Sequence, residues 1–206
     1  VTWGTNWHGL EALANPANLA LGLSVLFLAR ILGLLYLINS VDDTELSERS
    51  HRSVIVNTIP FLVFFLSFVA FLLTGKGFQV DAATGNVSLV KYFYLHSLIS
   101  SPLTLVLLLA GVVLVLYGIS LSIFRRSVRA VWYVGSGTVA VGLALFFLAG
   151  YGKSAFYPSV TNLQSSLTLA RASSSRFTLQ TMMYVSFIIP FVLAYIWIAW
   201  KAINRK

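Results

Sequence analysis

The sequence contains no cysteine. Disulfides, iron–sulfur ligation and thiolate zinc sites are therefore excluded within its 206 residues. Charge is scarce as well. Only 10% of the residues are Asp, Glu, Lys or Arg, against about 25% in a soluble domain. A soluble chain of this length must cover a large surface with polar groups, and with 58% apolar residues this one cannot. Lipid is the solvent that removes the need. Acidic residues are the scarcest, 6 against 14 basic ones, which leaves a net charge of +8. The basic residues lie between apolar runs and not in a cluster with interleaved aromatics, so a nucleic-acid-tracking face is excluded. No Gly-rich phosphate loop, Ser–His–Asp arrangement or pair of catalytic carboxylates is present. The first residues lack the basic segment and short apolar core of a signal peptide. Because the sequence opens on Val1, the expectation is a piece or processed product of a longer protein.

Long apolar runs are abundant. A helix needs about 20 apolar residues to cross a bilayer core, and five runs are long enough. They extend over about Ala17–Ile38, Val54–Thr74, Pro102–Phe124, Ala130–Tyr151 and Phe177–Trp200. Strands of a membrane barrel would alternate in polarity over about ten residues, and the run Leu103–Ile119 shows no alternation. The reading is an all-α integral membrane protein with about five transmembrane helices. Pro60 and Pro190 fall inside the second and fifth runs.

The connections differ in character. Ser40–Ser53 reads as a short solvated helix. Asp42 with Glu45 fits a capping box, and Glu45–Arg49 and Glu48–Arg52 have ion-pair spacing. FQVDAATGNVSLV reads as a β-hairpin turning at Gly85 and Asn86. KYFYLHSLI, which follows, has the aromatic content of an interfacial helix. Positive charge sets the orientation. Arg49, Arg52, Arg125, Arg126, Arg129, Lys201, Arg205 and Lys206 crowd the span ends on one side. Lys76, Lys91, Lys153, Arg171 and Arg176 are spread over long loops on the other. The positive-inside rule predicts a cytoplasmic C-terminus, and an N-terminus and hairpin loop outside.

Candidate ligands are few. His8, His51 and His96 lie outside the depth of the spans, where a haem iron buried in the membrane would need its ligand. Met182 and Met183 read as packing residues. All six carboxylates fall outside the spans, so no proton relay of acids crosses the membrane within this chain. Asp42, Asp43, Glu45, Glu48 and His51 fit a helix face better than a metal site. No catalytic, cofactor-binding or metal-binding residue is assigned. Arg30 alone is charged within a span. It is eight residues from Ile38, about 12 Å along a helix. It either snorkels toward water or forms an ion pair across a polar interface. An acidic partner would have to come from outside this chain's spans. Small residues mark faces suited to close helix packing: Ala20 and Gly22, then Ala110, Gly111 and Gly118, then Gly135, Gly137 and Gly142. From these residues alone, the chain reads as a membrane subunit or half of a secondary transporter, with Pro60 and Pro190 as the helix breaks a transporter uses.

The loop before the last run narrows this. YPSVTNLQSSLTLARASSSRFTLQTM, from Tyr157 to Met182, resembles the C-terminal signature of subunit II of the cytochrome bd quinol oxidases. PFVLAYIWIAWKA from Pro190, WHGLEALANPANLALGLSVLFLARILGLLY from Trp7, PFLVFF from Pro60 and YLHSL from Tyr94 fit it too. That family's subunit has about nine helices, as two four-helix bundles and a peripheral helix. The resemblance implies that residues 1–151 form the second bundle and that 152–206 hold an outer loop and the peripheral helix. It implies a multi-pass protein of the bacterial cytoplasmic membrane and a heterodimer with a haem-bearing subunit I. That complex would oxidise quinol and reduce dioxygen to water. Haems b and d would reside in the partner, and this chain would serve as scaffold, in contact with lipid and quinone. A small single-helix accessory subunit is compatible with the same reading.

Overall fold

The computed structural model describes residues 10–81, 85–150, 154–159 and 162–203. His8, Lys153, Arg205 and Lys206 lie outside the described residues. Among the described residues, five helices are long and apolar enough to cross a membrane, and the only sheet is a two-stranded hairpin. By internal contacts the chain divides into two units, Val1–Thr168 and Leu169–Lys206.

The first unit opens with a 3-10 turn at Leu10–Ala14 and α1 at Pro16–Ser40. Asn15 caps α1, its side chain accepting from the Ala17 N–H at 3.0 Å, and Pro16 occupies the first turn, where its missing N–H costs nothing. α2 runs over Thr44–Thr74, and here the structure corrects the sequence reading. The segment expected as a separate short helix is the first part of α2. A change from polar to apolar residues does not end a helix; caps, glycine and proline do. The cap is Asp43, not Asp42: its Oδ1 accepts from the Glu45 and Leu46 N–H groups at 2.9 and 3.1 Å. Helix α2 also continues through Pro60.

Strands β1, Lys76–Val80, and β2, Val87–Lys91, pair antiparallel with Phe78 opposite Leu89. Gly85 takes φ 67° in the connection, a left-handed conformation that glycine adopts without steric cost. The expected interfacial helix is α3, Phe93–Ser100. α4, Pro102–Arg125, and α5, Ala130–Gly150, complete the unit. Between them Arg126 takes φ 48°, and the Arg126 N–H donates to the Ser122 carbonyl at 3.1 Å. This left-handed residue closes α4 and lets the chain reverse within a few residues.

Helices α1 and α2 form one hairpin, and α4 and α5 form another. Their shared core is Ile31, Leu35, Ile38, Val54, Phe61, Val115, Ile119, Ala130 and Val134. These positions lie toward one end of the bundle, beside the short connections 41–43 and 126–129. At the opposite end the polar loop after α5 folds onto the β-hairpin. The Ala155 N–H donates to the Phe78 carbonyl at 3.0 Å. The Gln164 side chain accepts from the Val87 N–H at 3.3 Å and donates to the Val87 carbonyl at 3.4 Å. Ser154, Ala155 and Ser166 are buried in this cap.

The second unit holds a short helix, α6, at Leu169–Ala172 and the last span, α7, at Arg176–Ile203. Ser175 caps α7, its Oγ accepting from the Thr178 N–H at 3.3 Å. α7 is continuous through Pro190, so neither proline produces a broken helix. Lys201 places its ammonium 5.1 Å from the Trp197 ring centre, an arrangement suited to an interface.

Candidate functional site

Glycines bring two backbones together where α4 meets α5. Gly111 and Gly118 are seven residues apart, hence on one face of α4. A Cβ added at Gly111 would lie 2.8 Å from the Val141 N and 3.0 Å from the Gly137 O. One added at Gly137 would lie 2.7 Å from the Gly111 O and 2.8 Å from the Val115 N. The two backbones therefore touch, and Tyr117 and Tyr133 meet edge to face nearby, 5.2 Å between ring centres. Of the other small residues singled out in the sequence, Ala20 is buried on α1, but four behave differently. Gly22, Gly135 and Gly142 have nothing within 4 Å of an added Cβ, and Ala110 is exposed. Sequence alone does not separate the two kinds, because both sit on apolar helices.

The acidic segment contributes to the short-connection end of the bundle. Glu45 pairs with Arg49 at 2.5 Å, as expected. Glu48 does not pair with Arg52. It reaches Arg126 at 3.4 Å, on the connection between α4 and α5. Both pairs are exposed, and each contributes at most about 1 kcal/mol. His51 is buried, not solvated, and its Nδ1 lies 3.2 Å from the Oγ of Ser122 on α4, itself fully buried. A bond between α2 and α4 at 71 residues' separation leaves no sequence signal. Ser50, beside His51, is buried too.

The same geometry places the candidate ligands of the acidic segment. Asp43 caps a helix, Glu45 and Glu48 hold arginines, and His51 holds a serine, so the acidic segment has no converging ligand set. Among the described residues no group of three His, Cys, Asp or Glu side chains gathers. His96 is exposed on the short helix α3, and Met182 and Met183 are exposed on α7. A cavity of about 160 Å³ between the two hairpins is lined almost entirely by apolar side chains, with no His or Met among them.

Arg30 lies midway along α1, on a face with Leu26, Ala29 and Gly33 that is exposed. Among the described residues it makes no hydrogen bond and no ion pair. In the capping region, burial pushes the Tyr94 phenol above its ordinary pKa, and a hydrogen bond with the Phe78 backbone opposes the shift. Tyr94 thus ties α3 to β1.

The family model for cytochrome bd terminal oxidase subunit II matches residues 1–203. No curated protein matches the chain.

Proposed function

The chain belongs to the cytochrome bd terminal oxidase subunit II family, and from that premise we propose that it is the haem-free scaffold of a quinol-oxidising, dioxygen-reducing complex. The family is part of a terminal oxidase complex, so a partner subunit is implied. The observation that carries the reading is the match over residues 1–203. It includes the polar cap loop, whose sequence lipid does not dictate. Among the described residues, His51 bonds Ser122 and His96, Met182 and Met183 face outward, which supports a catalytic centre in subunit I. Haems b and d belong to that partner in this reading, and quinol is the substrate of the whole complex. The transporter reading loses its support, since α2 and α7 run unbroken through Pro60 and Pro190.

The test is optical. A complex captured through a tag on this chain is expected to show haem bands in its reduced-minus-oxidised spectrum. His51→Ala and His96→Ala should leave those bands unchanged in whatever complex assembles. A haem band that disappears from a fully assembled His51→Ala complex, or haem retained by this chain after the partner is stripped away, would overturn the assignment.

Orientation forms part of the proposal: the short connections face the cytoplasm and the capped end faces outward. Val128, in the connection before α5, is 52% exposed, and the absence of native cysteine makes labelling clean. In intact cells a Val128→Cys chain is expected to resist a membrane-impermeant maleimide and to react once the membrane is opened. Full reaction in intact cells would reverse the topology. Arg30 completes the proposal: it meets an anionic group of the partner subunit within the membrane.

A further inference from the structure

The two helical hairpins are in close contact at the short-connection end, through Ile31, Leu35, Val54, Ile119 and Val134. Toward mid-span they part, and a cavity of about 160 Å³ opens between them, walled by α1, α2, α4 and α5. Only two of its lining side chains are polar, Ser24 and Thr138. Each has its hydroxyl proton committed to its own helix: Ser24 to the Leu21 carbonyl at 2.8 Å, and Thr138 to the Val134 carbonyl at 2.7 Å. A buried water needs two to four polar partners, and an apolar cavity of about 150 Å³ in another protein stays dry and takes up benzene or xenon. No charged side chain lines this cavity, so nothing in it would hold a headgroup, a carboxylate or a phosphate. Val25, Leu66 and Leu116 of its wall are exposed, so the cavity is open at its edge. All three lie near mid-helix, at the depth of the hydrocarbon core.

The geometry points to a binding site for a small apolar molecule, up to about the size of a benzene ring, drawn from the bilayer core. The site goes beyond the oxidase assignment and does not depend on it. Two sources share this chemistry, a dissolved nonpolar gas and the end of a lipid acyl chain.

Xenon is the probe, applied under pressure to the assembled complex before its structure is determined. Gly142 lines the cavity, and a Cβ there meets nothing within 4 Å. Gly142→Leu should therefore fill the space without displacing backbone. Gly135 has equal room but does not line the cavity, so Gly135→Leu is the control. A compact xenon peak is expected in the wild-type and Gly135→Leu complexes, with its loss in Gly142→Leu. Leu145→Phe narrows the same cavity and replaces Gly142→Leu if that variant fails to assemble. Elongated density continuous with a lipid, undisturbed by xenon and absent from the filled variant, would also support the site and assign it to an acyl chain. Ordered water in the wild-type cavity, an empty cavity under xenon, or a peak that survives the filling substitution would overturn the proposal.

Discussion

Replacing Gly137 by leucine is expected to abolish accumulation of the folded complex, whereas Gly142→Leu leaves it near the wild-type level. Both glycines lie on α5, five residues apart, and both were singled out in the sequence as small-residue contacts. What separates them is the neighbour. At Gly137 a side chain would enter the backbone of α4, 2.7 Å from the Gly111 O and 2.8 Å from the Val115 N. Backbone cannot step aside as the end of a flexible side chain can, so α4 and α5 must separate along their contact. Overpacking by a methylene or two costs about 1–3 kcal/mol, and an entire leucine at a backbone contact lies at or beyond the top of that range. Net stabilities are only about 5–15 kcal/mol. In lipid the lost packing is not recovered elsewhere, because close approach is itself the attraction between helices. Gly111→Leu should behave like Gly137→Leu. Thermal stability and yield of the detergent-solubilised complex provide the measurement. Wild-type values for both Gly111→Leu and Gly137→Leu would contradict the close approach of α4 and α5.

Arg30→Ala is expected to release the partner subunit. The guanidinium is exposed in the middle of a span and has no acceptor among the described residues of its own chain. Water is about 12 Å away along the helix, and a charge at that depth is costly unless paired. If a partner carboxylate holds it, removal of Arg30 strands that carboxylate in lipid, at about 3–5 kcal/mol. The association constant would then fall by roughly a hundredfold to a few thousandfold. Arg30→Lys, which keeps the charge but not the planar fork, should restore part of it. The readout is the yield of haem-bearing partner captured through this chain after a stringent detergent wash. An unchanged yield from Arg30→Ala would mean that Arg30 reaches water instead, and the intramembrane ion pair would be withdrawn.

The parts of this fold that were legible in advance are those set by local chemistry. Hydropathy over about 20 residues located all five spans, and a Gly–Asn turn located the hairpin, because lipid and backbone conformation act residue by residue. Most helix ends were legible to within a turn, but the boundary expected at Ser53–Val54 does not exist, because α2 runs unbroken from Thr44. Asp42 and Asp43 are equivalent as sequence, and only the backbone angles of Asp43 select it as the cap. What depends on two distant segments was hidden. Glu48 sits four residues before Arg52, yet its partner is Arg126, and His51 turns to Ser122. The difference between Gly137 and Gly142 is of the same kind, since it lies in the facing helix. A cavity is the extreme case, being the place where four helices fail to meet.

The cap at the long-loop end has a consequence for biogenesis. Each helical hairpin is closed by a short connection, 41–43 in one and 126–129 in the other, so each can enter the bilayer as a unit while the ribosome is still at work. The cap cannot form so early. Gln164 clamps Val87 across 77 residues, and the Ala155 N–H needs the Phe78 carbonyl of β1. Both halves of the cap must first be on the same face of the membrane, which requires that α4 and α5 have already crossed. A chain in which either α4 or α5 failed to cross would hold β1 and the polar loop on opposite faces, leaving the Phe78 carbonyl and the Val87 backbone without these partners. The cap therefore closes only over a chain in which both α4 and α5 have crossed.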